Sequence, residues 1–573
     1  MPINNNDIAR IFSQIADLLE IKGANQFRVR AYRNASRTIG GLSRNAAEIV
    51  EKGIDLTQMP GIGKDLAGKI QTIVETGTHP LLEDLQKEIP PELSRLMKIQ
   101  GMGPKKIKVI YKDLGISSAE ELKKAAQKHK IRSLSGFGEK TEKSIIEEID
   151  RMKEGEKRFK LLMAEQVVEP MKDYLQKLPG VKKITVAGSY RRKKETVGDL
   201  DILAICKDGT KVMEHFVNYE NVKKVISHGE TRSSVVMRSG IQIDLRVLPE
   251  ESYGSALHYF TGSKEHNIAV RSLAAKRDLK INEYGVFKGN QRTAGRTEEE
   301  VYNQVDLPYI PPELRENRGE IEAAQNNQLP HLLTLEDIKG DLHSHTKYTD
   351  GHFTPEEMAE AARKKGYEYL AVSDHSQHVS VANGLDKKRL AQQIEEIDKL
   401  NQKIKGVVLL KSIEVDILED GTLDLPDEIL KQLDLVICSV HYKFNLPQEK
   451  QTQRIIKALK NPYTDILAHP SGRLINERKP YEVDMEKIMH MTQDQGCFLE
   501  LNAHPDRLDL TDSHCMMAKE LGIKVAISTD AHSQNDLDFM RFGLGQAQRG
   551  WLEPQDVLNT YKLESLRKLL RKS

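Results

Sequence analysis

The spacing of apolar residues changes twice along the chain. Over roughly the first 150 residues apolar positions recur at helical intervals, interrupted by Pro60-Gly61-Ile62-Gly63, Gln100-Gly101-Met102-Gly103 and Ser135-Gly136-Phe137-Gly138, each of which opens a lysine-bearing helical pattern. From 160 to 250 short alternating runs predict strands at 181–187, 201–205, 222–226, 234–238 and 241–247. After Pro308-Tyr309-Ile310-Pro311-Pro312 the pattern lapses, and the polar stretch EIEAAQNNQL at 320–329 reads as a linker. Beyond it seven apolar segments (GDLHSH, YLAVSDH, VVLLKSIEV, LDLVICSVH, TDILAHP, CFLELNA, KVAISTDAH) alternate with helical patterns, which predicts a parallel barrel.

At 573 residues the chain exceeds the size of one hydrophobic core, so several domains are expected. Its net charge of +1 hides an asymmetry: 1–160 carries about +7, 161–335 about +1 and 336–573 about −7. A polyanion at the N-terminal end follows from that distribution. The 4 cysteines show no CxxC spacing, which argues against a disulfide framework or a thiolate zinc site. No apolar run approaches the ~18 residues that span a bilayer and no signal segment opens the chain, so a soluble cytoplasmic protein without membrane contact is expected.

The sharpest chemical signal is GSYRRKKETVGDLDIL at 188–203. On a strand Asp199 and Asp201, two residues apart, leave the same face, and such paired carboxylates repel unless divalent cations lie between them. Gly188 and Ser189 offer a turn whose amides a phosphate can approach, and two arginines follow. Asp244, between apolar Ile243 and Leu245 on another predicted strand, supplies the third carboxylate of a two-metal nucleotidyl-transfer site. In the N-terminal repeats, Gly61 with Gly63 and Gly101 with Gly103 leave helix-start amides free for an anionic oxygen, which suits sequence-independent contact with a DNA backbone. In the barrel stretch His343, His345, Asp350, His375, Glu414, His441, His469, Asp530 and His532 recur where strands end, the face on which barrel active sites form. Imidazole and carboxylate together suit Mn²⁺, Zn²⁺ or Fe²⁺, and nine ligands exceed what one ion uses, so two or three ions and phosphoester hydrolysis are expected.

Taken together, GSYRR, GDLDIL, the YFTGS segment at 259–263, the glycine repeats and the histidine-rich motifs resemble the bacterial family X DNA polymerases that carry a C-terminal PHP (polymerase and histidinol phosphatase) domain. The resemblance implies a multidomain chain: a helix-hairpin-helix domain (1–80), a helical fingers domain with the second and third hairpins (81–155), an α+β nucleotidyltransferase palm (156–248), a thumb (249–319), a linker (320–335) and a (β/α)7-like PHP barrel (336–573). It implies Mg²⁺ or Mn²⁺ at catalytic Asp199, Asp201 and Asp244, triphosphate contacts from Gly188, Ser189, Arg192 and Gly198, and a nucleotide pocket that includes Gly262. Tyr259 and Phe260 would screen the sugar, Asn267 touch the incoming base and Arg271 face the template. Gly61, Gly63, Lys69, Gly101, Gly103 and Lys105 would contact DNA. The implied substrates are dNTPs and gapped double-stranded DNA with a 5′-phosphate. The implied activities are gap-filling synthesis of the base-excision-repair type and a Mn²⁺-dependent 3′→5′ exonuclease, with abasic-site endonuclease activity as an addition the family allows. A monomer and functional handoff to DNA ligase are expected.

Three positions depart from the family pattern. Gln242 stands where an arginine precedes the third aspartate, and Arg28 and Asp65 replace lysines around Lys69, the position of the family's 5′-deoxyribose phosphate lyase nucleophile. An aspartate beside Lys69 favours an ion pair over a free amine, so weak or absent lyase activity is expected. The alternative function is a template-independent nucleotidyltransferase whose barrel is a non-catalytic scaffold. The hairpins, YFTGS and Asn267 weigh against it.

Overall fold

A computed structural model describes residues 5–40, 46–59, 61–90, 92–96, 99, 102–134, 137–139, 141–143, 145–146, 149 and 158–570. The chain divides into two compact units, 1–157 and 158–573. In the first, helices Asn5–Lys22, Gln26–Gly40, Lys64–Thr76, Pro80–Glu88 and Pro104–Leu114, with shorter ones between and after, enclose a core that includes Phe12, Ile15, Ile39, Ile70, Ile73, Leu93, Ile107 and Ile110. The spacing explains the burial: Leu66, Ile70 and Ile73 line one face of Lys64–Thr76 while its lysines and acids face out. Gly63 and Gly103 cap two of these helices without any side-chain bond, which leaves their first-turn amides open. Gly77 and Gly115 end the same helices in the left-handed region, at φ +76° and +66°.

The second unit begins with the palm. Its strands are β1 (Phe159–Lys160), β2 (Val181–Val186), β3 (Thr196–Val197), β4 (Asp199–Cys206), β5 (Val222–Ser227), β6 (Arg232–Met237) and β7 (Gln242–Val247). Five form one sheet in the order β2-β4-β7-β6-β5, in which β4 and β7 run parallel and the other neighbours antiparallel. Alternation along β4 decides what each face does. Leu200, Ile202 and Ala204 join the core under helices Leu161–Gln176 and Gly209–Val217. Leu203 and Ile205 pack on the opposite face against Tyr253, Ala256 and Leu257 of helix Tyr253–Thr261. Asp199 and Asp201 share that second face at the strand's start.

The thumb follows as a three-stranded meander of β8 (Leu279–Asn282), β9 (Gly285–Lys288) and β10 (Gln291–Ala294), packed with helices Lys264–Ala275 and Glu298–Asn303 around Val270, Ile281, Val286 and Tyr302. Arg315 lies in this core at 0% exposure; Glu298 neutralises it, the carbonyl of Ile310 accepts from its Nε at 2.8 Å, and Tyr302 and Tyr309 stack on it. The expected linker is ordered at both ends. Residues Glu320–Gln325 form a helix whose first residue is fully buried, 2.7 Å from His266 Nδ1, and Leu333 enters the barrel core. Polar composition misled there because Glu320 is an internal acceptor rather than a solvated residue.

The barrel has seven parallel strands in sequence order: β11 (Gly340–Ser344), β12 (Tyr369–Val372), β13 (Val408–Asp416), β14 (Leu435–Ser439), β15 (Ile466–Leu467), β16 (Phe498–Asn502) and β17 (Val525–Ser528). The amide of His345 donates to Ala531 O at 2.8 Å and joins the first strand's end to the last. One cluster packs the strands against flanking helices; another ties Leu342, Tyr369, Leu410, Ile437 and Ile466 to the C-terminal helix Leu563–Leu570. The barrel is fused to the palm. Ile475, Leu508 and Phe542 extend the palm core, Arg473 grips Glu195 at 2.6 Å, and Lys160 reaches Asp506 at 2.6 Å. Trp551 packs on the thumb core. The expected fold class, helical hairpins, α+β palm with thumb and seven-stranded barrel, is the one found. Among the described residues no helix is long and apolar enough to cross a membrane, and all four cysteines are free.

Candidate metal centres

Register completes the palm site. In the parallel ladder Asp201 stands opposite Asp244 and Asp199 opposite Gln242, so three carboxylates share one face of two adjacent strands. Burial pushes the Asp201 carboxyl up to about 7, and Asp199 and Asp244 add to the rise. Asp199 is raised by burial and by Asp244. Carboxylates whose charge is opposed in this way are relieved by a cation placed between them. Gly188, at φ +66°, turns the chain so closely that a Cβ there would lie 3.4 Å from Asp201 Oδ2, which keeps the Gly188–Arg191 turn beside the carboxylates. Ser189 lies on that turn, and Gly198 is exposed immediately before β4.

The residues expected on the nucleotide side lie on helices Tyr253–Thr261 and Lys264–Ala275 and the bend between them. Tyr259 is exposed; Phe260 is partly buried, with the Arg246 guanidinium 4.4 Å over its ring. Asn267 Nδ2 donates to Tyr259 O at 2.7 Å, while its Oδ1 is buried without a partner. Arg271 is exposed one helical turn on, bonded to Asn267 O. Gly262 sits so near Arg192 that a Cβ would meet the guanidinium at 3.1 Å. Where the family arginine is replaced, Gln242 Nε2 donates to Asp244 Oδ1 at 3.2 Å, and Arg232 from β6 comes within 3.4 Å of Asp244 Oδ2. A neighbouring strand thus places a cation beside Asp244.

In the barrel the candidate ligands meet in three overlapping groups: His343, His345 and Asp530; His345, Asp350, His375 and His532; and His375, Glu414 and His441. His469 completes the set through Nε2, 2.9 Å from Glu414 Oε1. The donor atoms are arranged for ions rather than for one another. His343 Nε2 and His345 Nε2 face each other at 3.1 Å, and His345 Nδ1, His469 Nδ1 and Asp350 Oδ1 are buried without hydrogen-bond partners. His469 and Asp530 adopt left-handed φ of +27° and +54°, strain that non-glycine residues rarely carry outside functional sites. A cleft of about 240 Å³ opens above, lined by ligands, by Val379, Val381 and Ala382, and by Arg507. Burial opposes charging of His375 and His532, but Glu414 and Asp350 outweigh it and raise them to about 10 and about 9. Burial and the neighbours His532 and His375 hold His345 down at about 3.

In the first unit Gly61 has φ +77° and Gly63 caps the following helix. Lys69 pairs with Asp65 and lies 5.9 Å over the Tyr32 ring. Gly103 caps Pro104–Leu114; Gly101, Ser135, Gly136 and the Lys105 side chain lie outside the described residues.

Family models match along the chain: a helix-hairpin-helix domain over 3–79, a SAM-like helix-hairpin-helix tandem over 93–151, the DNA polymerase beta palm over 163–253, its thumb over 256–316 and the PHP domain over 341–504. The DNA polymerase/3'-5' exonuclease PolX of Bacillus subtilis (strain 168) is 40% identical over 575 residues, covering 100% of both chains. The chain belongs to the family X DNA polymerases with a C-terminal PHP domain. A probable phosphatase of Thermoanaerobacter sp. (strain X514) is 34% identical over 38% of this chain and 89% of its own length, and DNA polymerase lambda of Arabidopsis thaliana is 26% identical over 55% and 62%.

Several residues that shape these sites were missed in the sequence. Glu500 accepts from His343 Nδ1 at 2.7 Å and from the His469 amide at 2.7 Å, which orients two ligands at once. Asp416 lies 3.2 Å from His441 Nδ1. Its spacing from Glu414 repeats the palm's two-residue carboxylate pattern, a signal that could have found it. Arg507, 3.5 Å from Asp530, gave no signal.

His375 and His532 are protonated near neutral pH without metal and must be neutral to ligate. Against burial, neighbouring carboxylates raise His343 and His441 as well, so Mn²⁺ loading at about pH 8 should release protons, and affinity should rise with pH as these groups deprotonate. Calorimetry in buffers of different ionisation enthalpy, with Asp201→Ala to silence the palm, measures this; loading without proton release contradicts the assignment.

Proposed function

We propose that this protein is a template-directed DNA polymerase that fills short gaps in repair and trims 3′ ends with a Mn²⁺-dependent 3′→5′ exonuclease in its barrel. The observation that carries the synthetic half is the β4–β7 register, which sets Asp201 opposite Asp244 with Asp199 on the same face. Asp199, Asp201 and Asp244 hold Mg²⁺ or Mn²⁺, whose chemistry is to acidify the attacking hydroxyl and neutralise phosphate charge. The Gly188–Ser189 turn and Gly198 offer backbone amides to the triphosphate, and Arg192 offers a cation. Tyr259 and Phe260 wall the sugar, with Gly262 at the bend beyond them. The unpaired Asn267 Oδ1 is free to receive a hydrogen bond from the base side, and Arg271 extends toward the template. The primer 3′-hydroxyl then attacks the α-phosphate and pyrophosphate leaves.

In the barrel, His343, His345, Asp350, His375, Glu414, His441, His469, Asp530 and His532 hold two or three ions, Mn²⁺ first, with Zn²⁺ and Fe²⁺ as alternatives. Arg507, at the rim beside Asp530, is placed to pair with the phosphate of the nucleotide being removed. The same constellation suits abasic-site incision. The hairpins at Gly61–Gly63 and Gly101–Gly103, with Lys69 and Lys105, grip DNA backbone whatever its sequence. The substrates are dNTPs and gapped duplex with a 5′-phosphate; the enzyme works as a cytoplasmic monomer and leaves a nick that suits DNA ligase. The proposed domain limits are 1–80, 81–155, 156–248, 249–319 and 336–573, with 320–335 an ordered connection between the last two.

Asp201→Ala should cut extension by roughly 10³-fold or more while degradation persists, and His343→Ala should do the reverse. Primer extension and 3′ trimming assayed on both variants check this, and loss of both activities in either one sinks the two-site reading. The Lys69–Asp65 pair supports the reading of Lys69 as a phosphate contact with weak or absent lyase activity. Borohydride should thus trap no covalent adduct on an incised abasic substrate; an adduct lost on Lys69→Ala contradicts that role.

A further inference from the structure

Arg192 is already engaged. Its Nε lies 3.0 Å from Glu316 Oε1 at the end of the thumb, and its Nη1 donates to Thr261 O. The same Glu316 oxygen accepts from Arg549 Nη1 at 2.8 Å, and Arg549 belongs to the barrel, on helix Met540–Arg549. Arg549 Nη1 also donates to the Arg192 carbonyl at 3.0 Å, and its Nη2 to Asp512 Oδ2 at 2.7 Å. Lys194 lies 3.9 Å from Glu316, and Arg318 3.1 Å from Asp512. Palm, thumb and barrel thus meet at one carboxylate. Arg192, Lys194, Arg318 and Arg549 face only Glu316 and Asp512 within this network. Burial opposes ionisation of Glu316, yet Arg549 and Arg192 hold its carboxyl down at about 2. A buried cluster with more cations than carboxylates is ready for an anion.

We propose that Glu316 and Arg549 are positioning residues for nucleotide binding: Glu316 competes with the triphosphate for Arg192, and Arg549 draws Glu316 away, so the nuclease barrel sets the dNTP affinity of the polymerase site. The proposal rests on the reading of Arg192 as a triphosphate contact. A carboxylate shared between two guanidiniums is a weaker partner for each. Loss of Arg549 leaves Glu316 to Arg192 and Lys194, which strengthens the competition. Neutral glutamine at 316 weakens it, while Arg549 keeps Asp512 and Arg192 keeps the Thr261 carbonyl.

Single-nucleotide insertion by the full chain on gapped DNA tests this through the KM for dNTP and kcat. Glu316→Gln should lower KM roughly fivefold and Arg549→Met raise it by a similar factor, with kcat little changed. The double variant should lie close to Glu316→Gln, because the bond from Arg549 to the Arg192 carbonyl leaves the guanidinium of Arg192 untouched and the competition runs through Glu316. Degradation of 3′ ends should be unaffected throughout. A KM raised by Glu316→Gln, or a double variant as impaired as Arg549→Met, overturns the proposal in favour of a merely structural clasp. Should Arg549→Met fail to fold, Glu316→Gln alone decides: a fall supports the proposal, and an unchanged or raised KM ends it. Arg192→Met separates the two readings, since an unchanged KM there removes the triphosphate contact itself.

Discussion

Carboxylates and imidazoles crowded at strand ends are the constraint on which the larger unit depends. Two unit charges about 4 Å apart repel by about 4 kcal/mol at the effective dielectric of a protein surface. Asp199, Asp201 and Asp244 cannot relax away from one another, because the opposite face of β4 and β7 is locked into the palm core through Leu200, Ile202, Ile243 and Leu245. Burial raises the Asp201 carboxyl, and its repulsion by Asp199 and Asp244 adds to the rise. In the barrel, strand closure through His345 and Ala531 draws together ligands from distant stretches of chain, and their unpaired nitrogens and oxygens record the same demand for cations.

Elsewhere in this unit buried charge is balanced by side chains, and the contrast marks out the sites. Glu298 answers both Arg191 and Arg315, and Glu320 answers His266, so these groups hold the thumb together. Arg473 with Glu195 and Lys160 with Asp506 weld barrel to palm in the same way. The Arg192, Glu316 and Arg549 network falls between the two classes. It joins three parts of the chain, yet its cations outnumber its carboxylates, and it lies beside Gly262 of the nucleotide pocket. Structural cohesion and substrate affinity are there carried by the same atoms.

What could be read from the sequence was local. The two-residue spacing of Asp199 and Asp201 and the histidines that end barrel strands follow from periodicities of a few residues, and all five expected palm strands lie within two residues of those observed. Residues that act through partners far along the chain stayed hidden. Glu500 reaches His343 across 157 positions, and Arg549 meets Glu316 across 233, distances over which no pattern operates. The same blindness turned Glu320 into a linker residue, because a buried, paired glutamate and a solvated one look alike in sequence. Arg232 reaches Asp244 diagonally from the adjacent strand, a contact that only the folded sheet reveals.

The most direct test of synthesis and trimming at two separate sites uses a one-nucleotide gap with a 5′-phosphate, bearing either a matched or a mismatched 3′ end, in Mg²⁺ and in Mn²⁺. Insertion should follow the template base at the matched end. The mismatched end should be shortened in Mn²⁺ before it is extended. Insertion that ignores the template base, or a mismatched end left untrimmed in Mn²⁺, contradicts the account.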